Sequence, residues 1–172
     1  MQPQSPVAPR VIVVMGVAAS GKTKTGTALA QALGWPFYDA DDFHSAANKA
    51  KMHSGVPLTD DDRKPWLSTL RTLIDGVLTR GETAVLACSA LKAWYRDALV
   101  PQDTPSGAVR FVYLDVPRST LEARLAERRH FFPPSLLDSQ LQTLEPPRDA
   151  VWVDGTRPPS EIVSTLRDAL AV

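Results

Sequence analysis

Eight consecutive residues near the N-terminus have the types and spacing of a loop that binds phosphate groups. They read GVAASGKT and directly follow the apolar run VIVVM. A buried strand that turns at glycines into a helix aims backbone N–H groups and the helix N-terminus at one point, which suits a polyphosphate. In such a loop, Lys22 reaches the β- and γ-phosphates of ATP and the Thr23 hydroxyl is a ligand for Mg²⁺. We predict that ATP contacts Gly16, Val17, Ala18, Ala19, Ser20, Gly21, Lys22 and Thr23.

Two carboxylates follow the second predicted strand. Asp39 and Asp41 are separated by one residue, so both side chains project from the same side if the segment is extended. A phosphotransferase needs one carboxylate near Mg²⁺ and another that accepts the proton of the attacking hydroxyl. We assign the metal role to Asp39 and the base role to Asp41. The alternative is that Asp41, or Asp42 beside it, only caps the next helix.

Arginines occur at two further places where they could bind an anion. The guanidinium of Arg63 can fork onto a carboxylate, although a solvated side chain is an equally good interpretation. Arg124, Arg128 and His130 end a predicted helix, where they either fold over ATP or form a solvated face. The FFPP sequence at 131–134 then favours a flap that closes over the site and excludes water.

Strand and helix patterns alternate along the chain, which predicts a parallel sheet with helices on both faces. Ligands in such sheets bind beyond the carboxyl ends of the strands, so Ser89 is placed to contact the substrate, whereas Cys88 is predicted to be core. Residues 56–64 are predicted to be a loop, and Pro65 the first residue of a helix. The fold expected is a three-layer α/β/α sandwich with strands at 11–15, 37–38, 83–88, 109–114 and 151–153 and helices at 22–33, 43–53, 65–79, 91–100, 117–129 and 160–170.

Length and composition indicate one globular domain. We predict a flexible tail at 1–9 and a single P-loop kinase domain at 10–172, with a lid at about 128–138. The 19 basic and 19 acidic residues balance, which argues against nucleic acid as a partner. A single cysteine favours a reducing compartment, and no apolar run is long enough for a membrane span. The expected location is the cytoplasm.

The motifs in their order along the chain resemble those of the small bacterial-type gluconokinases, which have an adenylate- and shikimate-kinase-like P-loop fold. The phosphate loop is shared by many nucleotide-binding proteins, but the segments 55–67 and 88–97 are specific to this family. Beyond the residues named above, the resemblance rests on PL at 57–58, DDDR at 60–63, PWL at 65–67, CSALK at 88–92, YRD at 95–97, HFF at 130–132, SQ at 139–140 and LEP at 144–146.

The resemblance implies ATP-dependent phosphorylation of D-gluconate at its 6-hydroxyl, giving 6-phospho-D-gluconate for carbohydrate acid metabolism. It also implies Mg²⁺, a cytoplasmic setting and a homodimer. The resemblance implies that Arg63 binds the gluconate carboxylate and that the catalytic residues are Lys22, Asp41 and Arg128. The polar side chains expected to bind the polyol are His44, Lys51, Ser89 and His130.

The chain departs from the family pattern at two places. Ala19 stands where the family has a glycine, and a Cβ is tolerated there only if φ is not positive. The segment between Arg128 and His130 is one residue shorter than expected, which makes the flap less hinged. These departures keep open a catalytically weak nucleotide-binding regulator. Another small hydroxy acid, such as shikimate, is the alternative acceptor.

Overall fold

A computed structural model describes residues 5–128 and 132–172. One five-stranded sheet runs through the chain in the order β2-β3-β1-β4-β5, and every neighbouring pair of strands is parallel. The strands are β1 Val11–Met15, β2 Phe37–Asp39, β3 Ala84–Ala87, β4 Val109–Asp115 and β5 Val151–Asp154. The predicted parallel sheet of five strands is therefore confirmed, with strand bounds that differ by a residue or two.

Helices connect the strands and cover both faces of the sheet. A short 3₁₀ helix, Ala40–Phe43, follows β2 before the second α-helix begins. Among the described residues the α-helices are α1 Lys22–Leu33, α2 Ala46–His53, α3 Asp60–Thr79, α4 Ala93–Leu99, α5 Arg118–Ala126, α6 Pro134–Thr143 and α7 Pro159–Leu170. No helix within the described part of the chain is long and apolar enough to cross a membrane.

The hydrophobic core has two layers, one on each side of the sheet. Along β1, Val11, Val13 and Met15 pack into the layer that contains α3 and α4 side chains. Ile12 and Val14 point to the opposite layer, which is filled from α1 and α7. Alternate strand residues face opposite sides of a sheet, so a strand that is apolar at every position must be covered twice. This is the predicted α/β/α sandwich.

Two local predictions were wrong. Pro65 does not begin a helix: α3 begins at Asp60, because the side chain of Thr59 accepts the backbone N–H of Asp62 and that of Asp62 accepts the N–H of Thr59 in a capping box. Pro65 lies in the second turn of α3, where its missing N–H removes one backbone hydrogen bond, to Asp61 O, and its ring is exposed. The sequence pattern also predicted no helix between 129 and 151, whereas α6 spans Pro134–Thr143.

Candidate active site

A cavity of about 760 Å³ opens beyond the carboxyl ends of the strands. This is where ligands bind in parallel α/β sheets. Gly16 and Val17 are buried at the start of the phosphate loop, and Lys51 does not line the cavity. His130 lies outside the described residues. The other residues predicted to act on ATP, Mg²⁺ or the acceptor all line the cavity: residues 18–23, Asp39, Asp41, His44, Arg63, Ser89, Arg124 and Arg128.

The phosphate loop has the backbone conformation of an anion cradle. Gly21, the N-cap of α1, has a φ of 95°, and a Cβ built on Gly16 would lie 2.6 Å from Ser20 Oγ. Both positions therefore require glycine. Lys22 Nζ donates to the carbonyl oxygen of Val17 at 3.0 Å, within the loop itself. Burial lowers the pKa of Lys22, and the negative charge of Asp41 opposes this effect.

Ala19 adopts a left-handed backbone conformation, although a residue with a Cβ was expected to be tolerated at this position only if φ is not positive. Its φ is 65°, where a Cβ crowds the following carbonyl group. The guanidinium of Arg124 holds this turn in place, because Nη1 donates to Ala19 O at 3.0 Å and Nη2 donates to Gly155 O at 2.7 Å. Arg124 therefore braces the backbone of the phosphate loop, on the side of the cavity where β5 ends.

Thr23 and Asp39 form an oxygen-rich pair at the mouth of the loop. Thr23 Oγ1 donates to Asp39 Oδ2 at 3.0 Å, and the other carboxylate oxygen accepts the backbone N–H of Asp41 at 3.0 Å. Hydroxyl and carboxylate oxygens are the protein ligands that Mg²⁺ prefers, usually together with water and phosphate oxygens. The described residues contain no group of three or more His, Cys, Asp or Glu side chains that could hold a metal alone. The donor set therefore fits Mg²⁺ carried by a nucleotide.

The segment from Asp39 to Asp41 was expected to be extended, but a 3₁₀ helix begins at Ala40. Asp39 is the N-cap of the 3₁₀ helix, and the chain turns at once. Both carboxylates nevertheless line the cavity. The cavity walls remove water from Asp41 and raise its pKa, while the Lys22 ammonium acts in the opposite direction. Among the described residues, the carboxylate of Asp41 has no hydrogen-bond partner.

A network of side chains on α3 and α4 orients Arg63. Its Nη1 donates to Leu58 O at 2.7 Å and to the hydroxyl oxygen of Tyr95 at 3.1 Å. Tyr95 donates in turn to Asp60, which also pairs with Lys92 Nζ at 3.1 Å. The guanidinium carbon of Arg63 lies 5.4 Å from the centre of the Tyr95 ring. These contacts fix a positive charge on the cavity wall.

His44 is neutral and stacked in the wall of the cavity. Its ring lies 4.2 Å from that of Trp66, centre to centre, and nearly parallel to it. Burial, together with the nearby Arg63 charge, lowers the pKa of His44 to about 4. The ring nitrogen Nδ1 is 3.3 Å from the Asn48 amide nitrogen. A neutral imidazole can exchange hydrogen bonds with a polyol at pH 7 without adding charge.

The structure corrects the placement of Lys51. This side chain points to the start of α3, where Nζ is 2.8 Å from Asp62 Oδ2. Asp62 belongs to the capping box of that helix, and Asn48 also donates to its carbonyl oxygen at 2.9 Å. Lys51 therefore stabilises the helix that carries Arg63. The sequence alone left this pairing hidden, because the two partners come from different elements.

Cys88 and Ser89 both line the cavity after the end of β3. Cys88 is buried in the core as predicted, and loss of solvent raises the pKa of its thiol to about 12, which favours the protonated form. Ala90, the residue after Ser89, is buried with a φ of 45°. Arg96 Nη1 donates to Ala90 O at 2.8 Å. As at Ala19, an arginine braces an alanine in the left-handed region.

Helix α6 contributes side chains to which no role was assigned from the sequence. Leu136, Ser139 and Gln140 line the cavity, as does Phe132 just before the helix. Gln140 reaches the phosphate loop, because the backbone N–H of Ala18 donates to its Oε1 at 2.6 Å. The signal available in the sequence was the SQ pair at 139–140, which is part of the family pattern but carries no chemistry by itself.

The same family emerges from comparison with known proteins. A family model described as an AAA domain matches residues 11–147. A probable gluconokinase of Mus musculus is 44% identical over 95% of this chain and 98% of its own, and a gluconokinase of Gluconobacter oxydans is 44% identical over 92% and 89%. The crystal structure of a gluconokinase from Sinorhizobium meliloti superimposes with a TM-score of 0.82 at 44% identity, covering 95% of this chain and 92% of the other. With its phosphate loop, paired carboxylates and fixed arginine in one cavity, the chain belongs to the gluconokinase family.

Proposed function

We propose that this protein transfers the γ-phosphoryl group of ATP to the 6-hydroxyl of D-gluconate, forming 6-phospho-D-gluconate and ADP. The observation that carries this proposal is that one cavity joins the phosphate loop, the carboxylate of Asp41 and the fixed guanidinium of Arg63. Relatives named gluconokinase, at 44% identity over most of the chain, support the choice of acceptor. D-Gluconate has a carboxylate at one end and a primary alcohol at the other.

On the nucleotide side, the loop N–H groups and the N-terminus of α1 would bind the β- and γ-phosphates. Lys22 would exchange its bond to Val17 O for the phosphate oxygens, and Arg128 would add positive charge near the transferred group. Burial is the main reason that the pKa of Lys22 is lowered, and the positive charge of Arg128 adds to this effect. Thr23 and Asp39 would hold Mg²⁺, which neutralises phosphate charge when bound.

On the acceptor side, Arg63 would bind the gluconate carboxylate, which places the far end of the polyol toward Asp41 and the phosphate loop. The Asp41 carboxylate would accept the proton of the 6-hydroxyl as the oxygen attacks phosphorus and the bond to ADP breaks. His44 and Ser89 would hydrogen-bond the intermediate hydroxyls. The role predicted for His130 remains a prediction, as do the lid at 128–138, the homodimer and the cytoplasmic location.

The alternatives are less well supported. A nucleotide-binding regulator without turnover would not need a carboxylate at the position of Asp41. A kinase for shikimate would have to use the segment 55–67, which resembles that of gluconokinases. Both alternatives make different predictions from the proposed function, so one assay separates them.

The test is a coupled ADP-release assay with MgATP and a panel of acceptors: D-gluconate, other aldonates, shikimate and none. We expect turnover that depends on D-gluconate and is far weaker with the other acids. Turnover with shikimate alone would show a different acceptor. Binding of an ATP analogue without turnover on any acid would show a regulator, and either result would overturn the proposal.

A further inference from the structure

Gln140 connects α6 to the phosphate loop through a hydrogen bond whose donor and acceptor atoms are both identified. The donor is the backbone N–H of Ala18, so the atom that accepts at 2.6 Å must be the amide oxygen, Oε1. The orientation of the carboxamide is thereby determined, and its Nε2 group points away from Ala18. Gln140 is half-buried and lines the cavity. Among the described residues, Nε2 has no hydrogen-bond partner, so its two N–H donors remain for a ligand in the cavity that Gln140 lines.

Helix α6 is attached to the acceptor side of the cavity. Directly after the helix, the N–H of Glu145 donates to Leu91 O at 2.8 Å, and Glu145 Oε1 accepts the N–H of Ala93 at 2.8 Å. Arg96 Nη2 adds a third hydrogen bond at this position by donating to Glu145 O at 2.9 Å. Leu91 lies in the connection after β3 that also carries Ser89, and Ala93 is the first residue of α4. By contrast, the brace formed by Arg124 lies where β5 ends, on the other side of the loop.

We infer that Gln140 is an acceptor-binding residue, whose Nε2 group donates to a hydroxyl of the sugar acid while Oε1 anchors the phosphate loop at Ala18. This inference rests on the proposed function and extends it to a residue outside the paired carboxylates and the arginines. A neutral carboxamide suits a hydroxyl oxygen, since it offers two donors and adds no charge beside the phosphates. One side chain would thus set the distance between the acceptor and the loop that holds the γ-phosphate.

The test compares two glutamines on the same helix. Gln140→Ala removes both contacts, whereas Gln142→Ala changes an exposed side chain of α6 that does not line the cavity. We expect Gln140→Ala to lower kcat/KM for D-gluconate by about 10- to 100-fold, mainly through KM, because a buried polar partner is left unpaired. The affinity for a non-hydrolysable ATP analogue, measured by calorimetry, should fall much less than kcat/KM for D-gluconate, because Ala18 is only one of the loop residues that hold the phosphates. Gln142→Ala should leave all these constants unchanged.

A second variant and modified acceptors keep the inference falsifiable. Gln140→Met keeps the length of the side chain without its hydrogen bonds, and it should reproduce the loss while thermal unfolding shows a folded protein. Among single-deoxy gluconates, one should lose less activity in Gln140→Ala than in the wild type, because the contact is already absent. Unchanged gluconate constants, strictly additive losses for every analogue, or a loss of ATP affinity equal to the loss of kcat/KM would each overturn the inference. Inactivity of the wild type on D-gluconate would instead refute the proposed function.

Discussion

Asp41 has the properties that a base for a primary alcohol needs. It lines the cavity, it lies close to Lys22, and the described residues provide no hydrogen-bond partner for its carboxylate. Removal of water raises its pKa above the ordinary value of 3.8, with Lys22 opposing the shift. A carboxylate with a raised pKa accepts a proton more readily than an unperturbed one.

We expect Asp41→Asn to lower kcat by at least about 100-fold while ATP affinity stays similar, because the amide cannot accept the proton. The carboxylate is the active form, so kcat/KM of the wild type should fall as the pH falls through the raised pKa. This acid limb should lie above pH 3.8 and be absent from the residual activity of the variant. Steady-state kinetics across pH provide the measurement. Near-normal turnover of Asp41→Asn would contradict the base assignment.

Arg63 is expected to bind the carboxylate of the acceptor. Arg63→Ala should raise KM for D-gluconate by roughly 10- to 100-fold, the usual effect of losing a charge-assisted hydrogen bond, with little change in KM for ATP. Lys64→Ala is the matched control, since Lys64 is an exposed cation on the same helix that pairs with Asp61 at 3.0 Å. Equal effects of the two substitutions would show that only the overall charge of α3 matters.

Ala19 carries backbone strain inside the phosphate loop. Ala19→Gly should relieve the left-handed strain and raise stability by up to about 1 kcal/mol, after allowing for the greater freedom of glycine in the unfolded chain. Ala171, which ends α7 at a φ of 55°, offers a control far along the chain from the loop. Both substitutions should raise the unfolding temperature, but only Ala19→Gly should alter ATP affinity. A lower unfolding temperature for Ala19→Gly would show that this position carries no strain.

At the scale of elements, close packing joins the turn after β5 to the phosphate loop. A Cβ on Gly155 would lie 2.4 Å from Val116 Cγ2 and 3.3 Å from Ser20 O. Gly155→Ala should therefore lower stability by about 1–3 kcal/mol, or some 2–4 °C in Tm per kcal/mol, and weaken ATP binding. Gly76→Ala should raise Tm, since the new Cβ in α3 meets only the flexible Arg80 side chain and helix propensity improves. Calorimetry of both variants tests the contrast, and a Gly155→Ala protein as stable as the wild type would contradict it.

Capping decides where α3 begins, and this places the Arg63 network. The sequence predicted a polar loop through Lys64 and a helix from Pro65, because proline is common at the first position of a helix. The structure instead uses Thr59 and Asp62 as a capping box and pairs Asp62 with Lys51. A helix that began at Pro65 would leave Arg63 on a loop. The capping residues Thr59 and Asp62 are visible in the sequence, but Pro65 indicates a later helix start.

At the scale of the whole molecule, the cavity gathers residues from the phosphate loop, from the ends of β2 and β3, and from α3, α5 and α6. MgATP should bind only when these elements are assembled, so it should stabilise the native state. At 100 times its dissociation constant, the gain is about 2.7 kcal/mol, or roughly 5–10 °C in Tm. Lys22→Ala should abolish most of this shift, and EDTA should reduce it. An equal shift in Lys22→Ala would place the nucleotide elsewhere.

The sequence by itself determined the sheet, the phosphate loop and many of the polar residues that line the cavity. Apolar runs without alternation require cover on both faces, and glycine spacing determines the loop, so both are readable from neighbouring residues. Asp39, Asp41 and Ser89 were found because parallel strands end at one edge. These inferences needed no knowledge of which distant residues meet.

Only the tertiary structure decided which distant residues form hydrogen bonds and ion pairs with each other. Lys51 lies against Asp62 instead of the cavity, Arg124 braces the strained Ala19, and Gln140 contacts Ala18 from 122 residues away along the chain. Hydrogen bonds of this kind depend on the packing of α5 and α6 above the sheet, and no local pattern specifies that packing. Residue types and spacing therefore predicted where the chemistry lies, whereas long-range packing determined which side chains hold the reacting groups and which brace the backbone.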